Sequence, residues 1–257
     1  YLNEAVDAFP QTIESALRKE VLHLYENAME LILHGLNLHR HEIFETESVA
    51  ETVKRSRTPS DLDIDESYER RVKTLYSAIF EFTTRVGAKR LAPDFNEQLQ
   101  TLRDASSKVV QAVKSVKHLR KNILKYTVRP QGVVTELYDN LRIEIARIIV
   151  EIRKLDLAEP ENRSALWLDQ ERAQFEEDAR STNRRIDMLI RNGDVTAEAA
   201  TSFLNDSNYA YDGMRALIEA ARSFYIARDS AMAEVERLLS LEEEELQEDM
   251  TTTKEVV

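Results

Sequence analysis

The sequence predicts an all-α fold, two tandem three-helix bundles built from six long helices. Three observations lead there. Gly and Pro number five each in 257 residues while 32% of the chain is charged, a composition that favours long helices and leaves few turn signals for a β-rich fold. Apolar residues recur in steps of three and four along successive segments, the period of a helix buried along one face. The pattern restarts after Arg129-Pro130-Gln131-Gly132, the clearest punctuation in the chain. A chain of this length makes one large domain or two ordinary ones. The division reads as a leading segment over 1–11, a first bundle over 12–129, a second over 130–241 and an acidic, disordered tail over 242–257.

The first helix is predicted from about Thr12 to Leu38, with Leu17, Val21, Leu24, Ala28, Leu31, Gly35 and Leu38 on its inner seam. Gly35 either lets a neighbouring helix come close or marks fraying. From His39 to Asp61 the periodicity is lost, and the stretch reads as a mobile connection, longer than the usual link between helices. Asp61, Asp63 and Asp65 read as capping and dipole-compensating acids for the second helix, which runs to about Leu91 with Tyr68, Val72, Leu75, Ile79, Phe82 and Val86 inward. Asp94 with Glu97 reads as a capping box for the third helix, whose inner positions are Leu99, Leu102, Ser106, Val109, Val113, Val116 and Ile123. Its outer face is basic, through Lys108, Lys114, Lys117, Arg120, Lys121 and Lys125.

The fourth helix, about Val133 to Leu155, turns Leu137, Leu141, Ile145, Ile148, Ile152 and Leu155 inward, and Ala158-Glu159-Pro160-Glu161 ends it. A fifth helix carries Leu168, Phe175, Ala179, Thr182, Ile186 and Leu189 and stops at Asn192-Gly193, a common left-handed ending. Thr196 caps the sixth, which runs through Phe203, Ala210, Met214, Leu217, Ala221 and Phe224 to about Leu239. The short capped turns within each half predict antiparallel neighbours.

The net charge of −12 argues against a nucleic-acid surface, because phosphate backbones need a basic field. The chain has no Cys, which excludes disulfides, thiolate metal sites and thiol nucleophiles. No apolar run approaches the ~20 residues that span a bilayer, and the start at Tyr1 rather than Met reads as processing or as excision from a longer protein. There is no Gly-rich phosphate loop and no Gly-x-Ser-x-Gly elbow, so the chain reads as non-enzymatic. A single Glu-x-x-His, Glu20-Val21-Leu22-His23, lacks the second copy that a di-iron bundle needs.

Polar residues inside apolar helices are the remaining candidates. Leu204-Asn205-Asp206-Ser207-Asn208-Tyr209-Ala210-Tyr211-Asp212 is too polar for a plain core helix, and Leu102-Arg103-Asp104-Ala105-Ser106 echoes it in the same hydrophobic phase. The echo suggests a duplicated unit whose halves meet along a polar seam. Asp104, Asp206 and Asp212 are therefore the candidate metal ligands, for a divalent or ferric ion, because bundle sites draw carboxylates from facing helices. Ordinary polar contacts are the competing reading for all three. Tyr209 and Tyr211 read as packed rings with bonded hydroxyls. His34, His39 and His41, with Glu30 one turn before His34, have spacing suited to part of a Zn site or to solvent-facing imidazoles at a helix C-terminus. The basic third helix and Lys54-Arg55-Ser56-Arg57 read as solvated, or as a surface for anionic lipid headgroups.

Four stretches carry a family resemblance: Leu22-His23-Leu24-Tyr25-Glu26-Asn27, His34-Gly35-Leu36-Asn37-Leu38-His39-Arg40, Val116-Lys117-His118-Leu119-Arg120-Lys121-Asn122 and Ala200-Thr201-Ser202-Phe203-Leu204-Asn205-Asp206-Ser207. Together they resemble the PhoU-like C-terminal cytoplasmic region of bacterial Na+/phosphate cotransporter family proteins, over essentially the whole chain. The resemblance implies two PhoU-type three-helix bundles and a parent whose N-terminal membrane part moves phosphate with sodium, with Tyr1 just after the last membrane helix. It implies a regulatory or accessory domain at the cytoplasmic face of the bacterial inner membrane. Its partners would be the transporter portion of the same polypeptide, a second copy of the chain as a homodimer, and the membrane surface, with no nucleic acid. PhoU proteins bind metal through Glu/Asp-x-x-x-Asp motifs. Here Lys108 stands four residues after Asp104 and Ala210 four after Asp206, a departure from that pattern. Two alternatives stay open, a soluble metal-binding PhoU-type regulator of phosphate uptake and a helical protein-interaction scaffold.

Overall fold

A computed structural model describes residue 2 and residues 10–88, 92–159, 163 and 166–226, and all regular structure among them is helical. Helix α1 spans Pro10–Gly35, and two short helices follow, α2 at Arg40–Glu45 and α3 at Val49–Arg55. Helix α4, Ile64–Ser67, continues through a π-helical turn at Tyr68–Lys73 into α5, Thr74–Gly87. The long helices α6, Pro93–Thr127, and α7, Val133–Leu157, come next. Helix α8 is Leu166–Asn192, and α9, Ala197–Ala221, runs on as a π-helical turn at Arg222–Ile226. The leading segment up to residue 9, residues 89–91 at the predicted end of the second helix, residues 160–162 of the Pro160 break, the extension to Leu239 and the acidic tail lie outside the described residues.

The apolar period placed the long helices correctly because it registers burial. Every inner position read on α1 and α6 is buried, as are Leu137, Leu141, Ile145, Ile148 and Ile152 on α7 and Phe203, Ala210, Met214, Leu217, Ala221 and Phe224 on the last helix. The apolar side chains among them belong to one continuous hydrophobic cluster. Helix α6 is its axis. Helices α1 and α9 pack along α6, α5 packs on α6 and α1, and α7 and α8 pack on α9. Residue pairing gives the direction of the central contact. Asn122 meets Asp206, Ser115 faces Gly213, and Lys108 meets Glu219, so α6 and α9 run antiparallel.

Helix ends follow their local chemistry. Asp63 accepts the Glu66 N–H at 3.0 Å and is the acid that caps α4. Thr196 accepts the Ala199 N–H at 3.2 Å at the start of α9. Gly193, at φ +78°, ends α8 with Asp194 N–H on the Leu189 carbonyl. Asp94 is not a cap. Pro93 occupies the first helical position and Ala92 the cap, so Asp94 falls inside the first turn, where it complements the helix dipole instead.

The stretch from His39 to Asp61 is corrected more substantially. In place of a mobile connection it holds α2 and α3, which pack on α7 and bury Ile43, Thr52 and Val53. Helices of six and seven residues are too short to show a period and marginal on their own. They persist through contacts from elsewhere in the chain.

Gly35 resolves in favour of close approach. A Cβ built there would sit 2.7 Å from Val116 Cγ1, inside any real contact. On the other side of α6, a Cβ at Gly213 would sit 3.1 Å from Ser115 Cβ, so successive residues of α6 are clasped by glycines of α1 and α9. Gly35→Ala is expected to destabilise the chain by about 1–3 kcal/mol, with Val116→Ala in the same chain recovering part of the loss. Urea unfolding of the single and double variants checks this, and an unchanged G35A midpoint would mean that α1 and α6 can separate without cost.

Candidate functional site

Two polar networks are buried where α7 meets its neighbours. The first is centred on Arg142, which is fully buried. Asp139 stands one turn before it on α7, so both side chains project from one face. Arg142 Nε donates to the Leu36 carbonyl at 2.8 Å, Nη1 to Val53 O at 3.1 Å and to Asp139 Oδ1 at 2.9 Å, and Nη2 to Asn37 O at 3.1 Å and Ser56 O at 2.9 Å. A guanidinium has five N–H groups, and five acceptors are present. Arg57 grips the other side of Asp139 with both terminal nitrogens, at 2.9 and 2.6 Å, and reaches the Thr127 carbonyl at 3.3 Å. Burial pushes the Arg142 guanidinium down to about 10 while Asp139 acts in the opposite direction, so it remains charged at neutral pH.

Arg120 of α6 repeats the device a short distance away. It donates to His34 O at 2.8 Å, Ser60 O at 3.2 Å and Leu62 O at 3.3 Å. Between them, Arg142 and Arg120 donate to the carbonyls of His34, Leu36 and Asn37 at the end of α1 and to others through the corner that follows. Buried backbone acceptors need partners, and here cations on α6 and α7 supply them.

The second network lies between α6, α7 and α9. Asp206 is 5% exposed. Its Oδ2 accepts the Tyr138 hydroxyl at 2.7 Å and the Asn122 amide at 2.8 Å. Tyr138 is sandwiched by Tyr126, stacked at 5.1 Å, and by the edge of Phe203 at 5.3 Å. Burial lifts the Asp206 carboxyl above its ordinary value, against the two hydrogen bonds and the nearby His118, which favour the anion. Burial and the hydrogen bond to Asp206 push the Tyr138 phenol well above its ordinary value, so it serves as a donor.

The predicted metal residues are not brought together. Because α6 and α9 are antiparallel, Asp206 lies opposite Asn122, while Asp104 is eighteen residues from Asn122, about 27 Å along a helix at 1.5 Å per residue. The sequence echo that set Asp104 beside Asp206 therefore reflects a matching hydrophobic phase and not a matching place. Asp104 is exposed, and Asp212 is an exposed residue 3.8 Å from Arg215. Of the proposed seam on α6, only Ser106 is inside, its hydroxyl bonded to the Leu102 carbonyl at 2.8 Å. Among the described residues no three His, Cys, Asp or Glu side chains are grouped to hold a metal ion.

The histidines do gather. The rings of His34 and His39 are 5.5 Å apart and those of His39 and His41 6.0 Å apart, on a pocket of about 740 Å3 that Glu30 also lines. Arg40, Arg153 and Lys154 share that pocket with Glu45, and three cations against two carboxylates make a charge set that opposes a divalent cation. Burial holds the His34 imidazole below its ordinary value, and His39 adds to the effect.

Several surface expectations change as well. Tyr211 is buried and stacked on Phe175 at 5.9 Å, whereas Tyr209 is exposed and stacks on His118 at 4.4 Å. The basic face of α6 is partly engaged within the fold. Lys108 pairs with Glu219 at 2.6 Å, Lys117 with Asp65 at 2.6 Å and over the Tyr68 ring, and Arg120 is tied to backbone. Reading the sequence missed Tyr138, Asp139 and Arg142 and the roles of Arg57 and Asn122, and only the Asp139–Arg142 pair offered a signal. Asp139 and Arg142 stand three residues apart, one helical turn, beside the apolar positions Tyr138, Leu141 and Ile143, and a buried cation without a carboxylate neighbour is unstable.

Among the described residues no helix is long and apolar enough to cross a membrane. Comparison of the chain with protein-family models, with curated proteins and with solved structures gives no match.

Proposed function

We propose that this chain is a non-enzymatic, PhoU-like regulatory or accessory domain of a sodium-dependent phosphate transporter. On this reading α1, the helix formed by α4 and α5, and α6 make the first three-helix bundle, and α7, α8 and α9 make the second. The domain acts at the cytoplasmic face of a bacterial inner membrane, through helix contacts with the membrane portion of its own polypeptide. A shift in helix packing, or in pairing with a second copy, alters transport. A coupling free energy of about 1–3 kcal/mol is enough for such control.

One observation carries the reading. Three of the stretches that carry the family resemblance lie far apart in sequence and pack onto one another: Gly35 against Val116, Arg120 on the His34 carbonyl, and Asn122 on Asp206. The resemblance thus falls on the residues that join α1, α6 and α9, and not on scattered surface positions. Removal of residues 1–257 from the parent protein is expected to change sodium-dependent phosphate uptake or its response to phosphate supply. Unaltered uptake and response in that deletion would count against the proposal. Hydropathy of the residues upstream of Tyr1 gives an earlier check, with repeated apolar spans of about 20 residues expected and a translation start at Tyr1 as the contrary result.

A further inference from the structure

We propose that the pocket between α2, α3 and the segment after α3 binds a phosphate group, either free or carried on a small polar molecule. The pocket is about 540 Å3, with Asn37, His39, Glu42, Arg55, Arg57 and Thr58 among its lining residues. The donors in this pocket select such a ligand whether or not the chain belongs to a transporter.

Asn37 supplies the first observation. It is 2% exposed, and its Oδ1 accepts the Ser60 backbone N–H at 3.0 Å, which fixes the amide the right way round. That leaves Nδ2 buried with no hydrogen-bond partner. An unsatisfied buried donor costs about 1–3 kcal/mol; the residue's left-handed φ of +59° is the ordinary ending of α1, with Leu38 N–H on the Leu33 carbonyl. A buried donor without a partner, at a residue that lines a pocket, is the pattern of a site held ready for something else. The group that Nδ2 needs is an acceptor.

Arg55 supplies the second. Its exposed guanidinium lines the same pocket and makes no hydrogen bond or ion pair among the described residues. Beneath it, Asp139 is shared between Arg57 and Arg142, so one carboxylate answers two cations and a positive charge is left over. Glu42 is the opposing group in the wall, its Oε2 facing the Ser56 hydroxyl at 3.5 Å. Arg55, Arg57 and Glu42 together leave the wall cationic.

The donor set selects the ligand. An amide N–H from the end of α1, guanidiniums at and just after the end of α3, and the Thr58 hydroxyl approach from different elements. A planar carboxylate suits a single fork, whereas tetrahedral phosphate oxygens accept from several directions. Among the described residues His39 is the only ring in the lining, so a nucleobase would find almost nothing to stack on. The volume is within the usual range for small-molecule sites and leaves room for a small hydroxylated body beside the phosphate.

Calorimetric titration of the 257-residue chain with inorganic phosphate and, separately, with ribose 5-phosphate at matched ionic strength tests this. Saturable binding of one equivalent is expected. Inorganic phosphate as the tighter ligand identifies free phosphate, and ribose 5-phosphate as the tighter one identifies a carried phosphate. Arg55→Ala is expected to weaken binding about tenfold or more, the loss typical of a charge-assisted contact, while Arg55→Lys keeps part of it. Arg55 is exposed, so both variants should unfold at the temperature of the unmodified protein without ligand, and R55A alone should lose the rise in Tm that ligand produces. No saturable binding of either compound overturns the proposal, and so does binding that R55A leaves unchanged.

Discussion

Arg142→Met is expected to destabilise the protein by about 3–5 kcal/mol, the cost of removing one partner from a buried ion pair. Methionine fills most of the space, so the loss is chiefly electrostatic. Four carbonyls, those of Leu36, Asn37, Val53 and Ser56, lose a donor in the interior, and Asp139 is left with Arg57 alone. Lysine would not restore them, since three donors on one nitrogen cannot reach five acceptors spread around a planar fork. Arg142→Lys should therefore recover only a minor part. The double variant R142M/D139N should be less damaged than the sum of its single changes, because the second substitution removes the charge that the first strands. Urea unfolding measures these energies. Hydrogen exchange locates them, with protection expected to fall through residues 36–62 before it falls in α6 and α9. An R142M variant within about 1 kcal/mol of the unmodified chain would show that the corner is held by α2 and α3 themselves.

The same residue explains how far the sequence could be read. Long helices were legible because their stripes, such as Leu17, Val21, Leu24 and Ala28, repeat over many turns and register the continuous core. Caps at Asp63 and Thr196 and the ending at Gly193 were legible because each is decided within four residues. Helices α2 and α3 were not, since what fixes them arrives from α7, for α3 through Arg142, some ninety residues away. A local pattern carries no information about a partner at that separation. The polar seam was half legible. Asp206 stands in a stretch too polar for a plain core helix and is buried, whereas its echo on α6, Asp104, is exposed. Internal similarity gives the phase of a helix face and says nothing about direction. Antiparallel packing puts Asn122 opposite Asp206 and Asp104 near the other end of the contact.

Asp206 also gives the protein a predictable pH dependence. A carboxyl lifted by burial binds its proton more tightly in the folded chain than in the unfolded one, where its ordinary value is 3.8. Stability from this group is therefore greatest below the unfolded value, falls as pH rises from there through the raised folded value, and levels off above it. Other carboxylates titrate in the same window, so the informative quantity is the difference between Asp206→Asn and the unmodified protein. An amide oxygen can accept from both Tyr138 and Asn122 without ionising, so that difference should shift in favour of the asparagine variant as pH is raised from about 4 to about 8. Asp206→Ala is the contrasting change. It leaves the Tyr138 hydroxyl and the Asn122 amide as buried donors without an acceptor, at about 1–3 kcal/mol each before relaxation, and Tyr138→Phe in the same chain should return part of the loss. The direction of the D206N difference is the decisive reading, because two influences compete at this carboxylate. Desolvation raises its affinity for the proton, whereas the Tyr138 and Asn122 hydrogen bonds and His118 lower it. A difference that moves toward the unmodified protein with rising pH would mean that the hydrogen bonds prevail and that Asp206 is held as an anion at the centre of the α6–α9 contact.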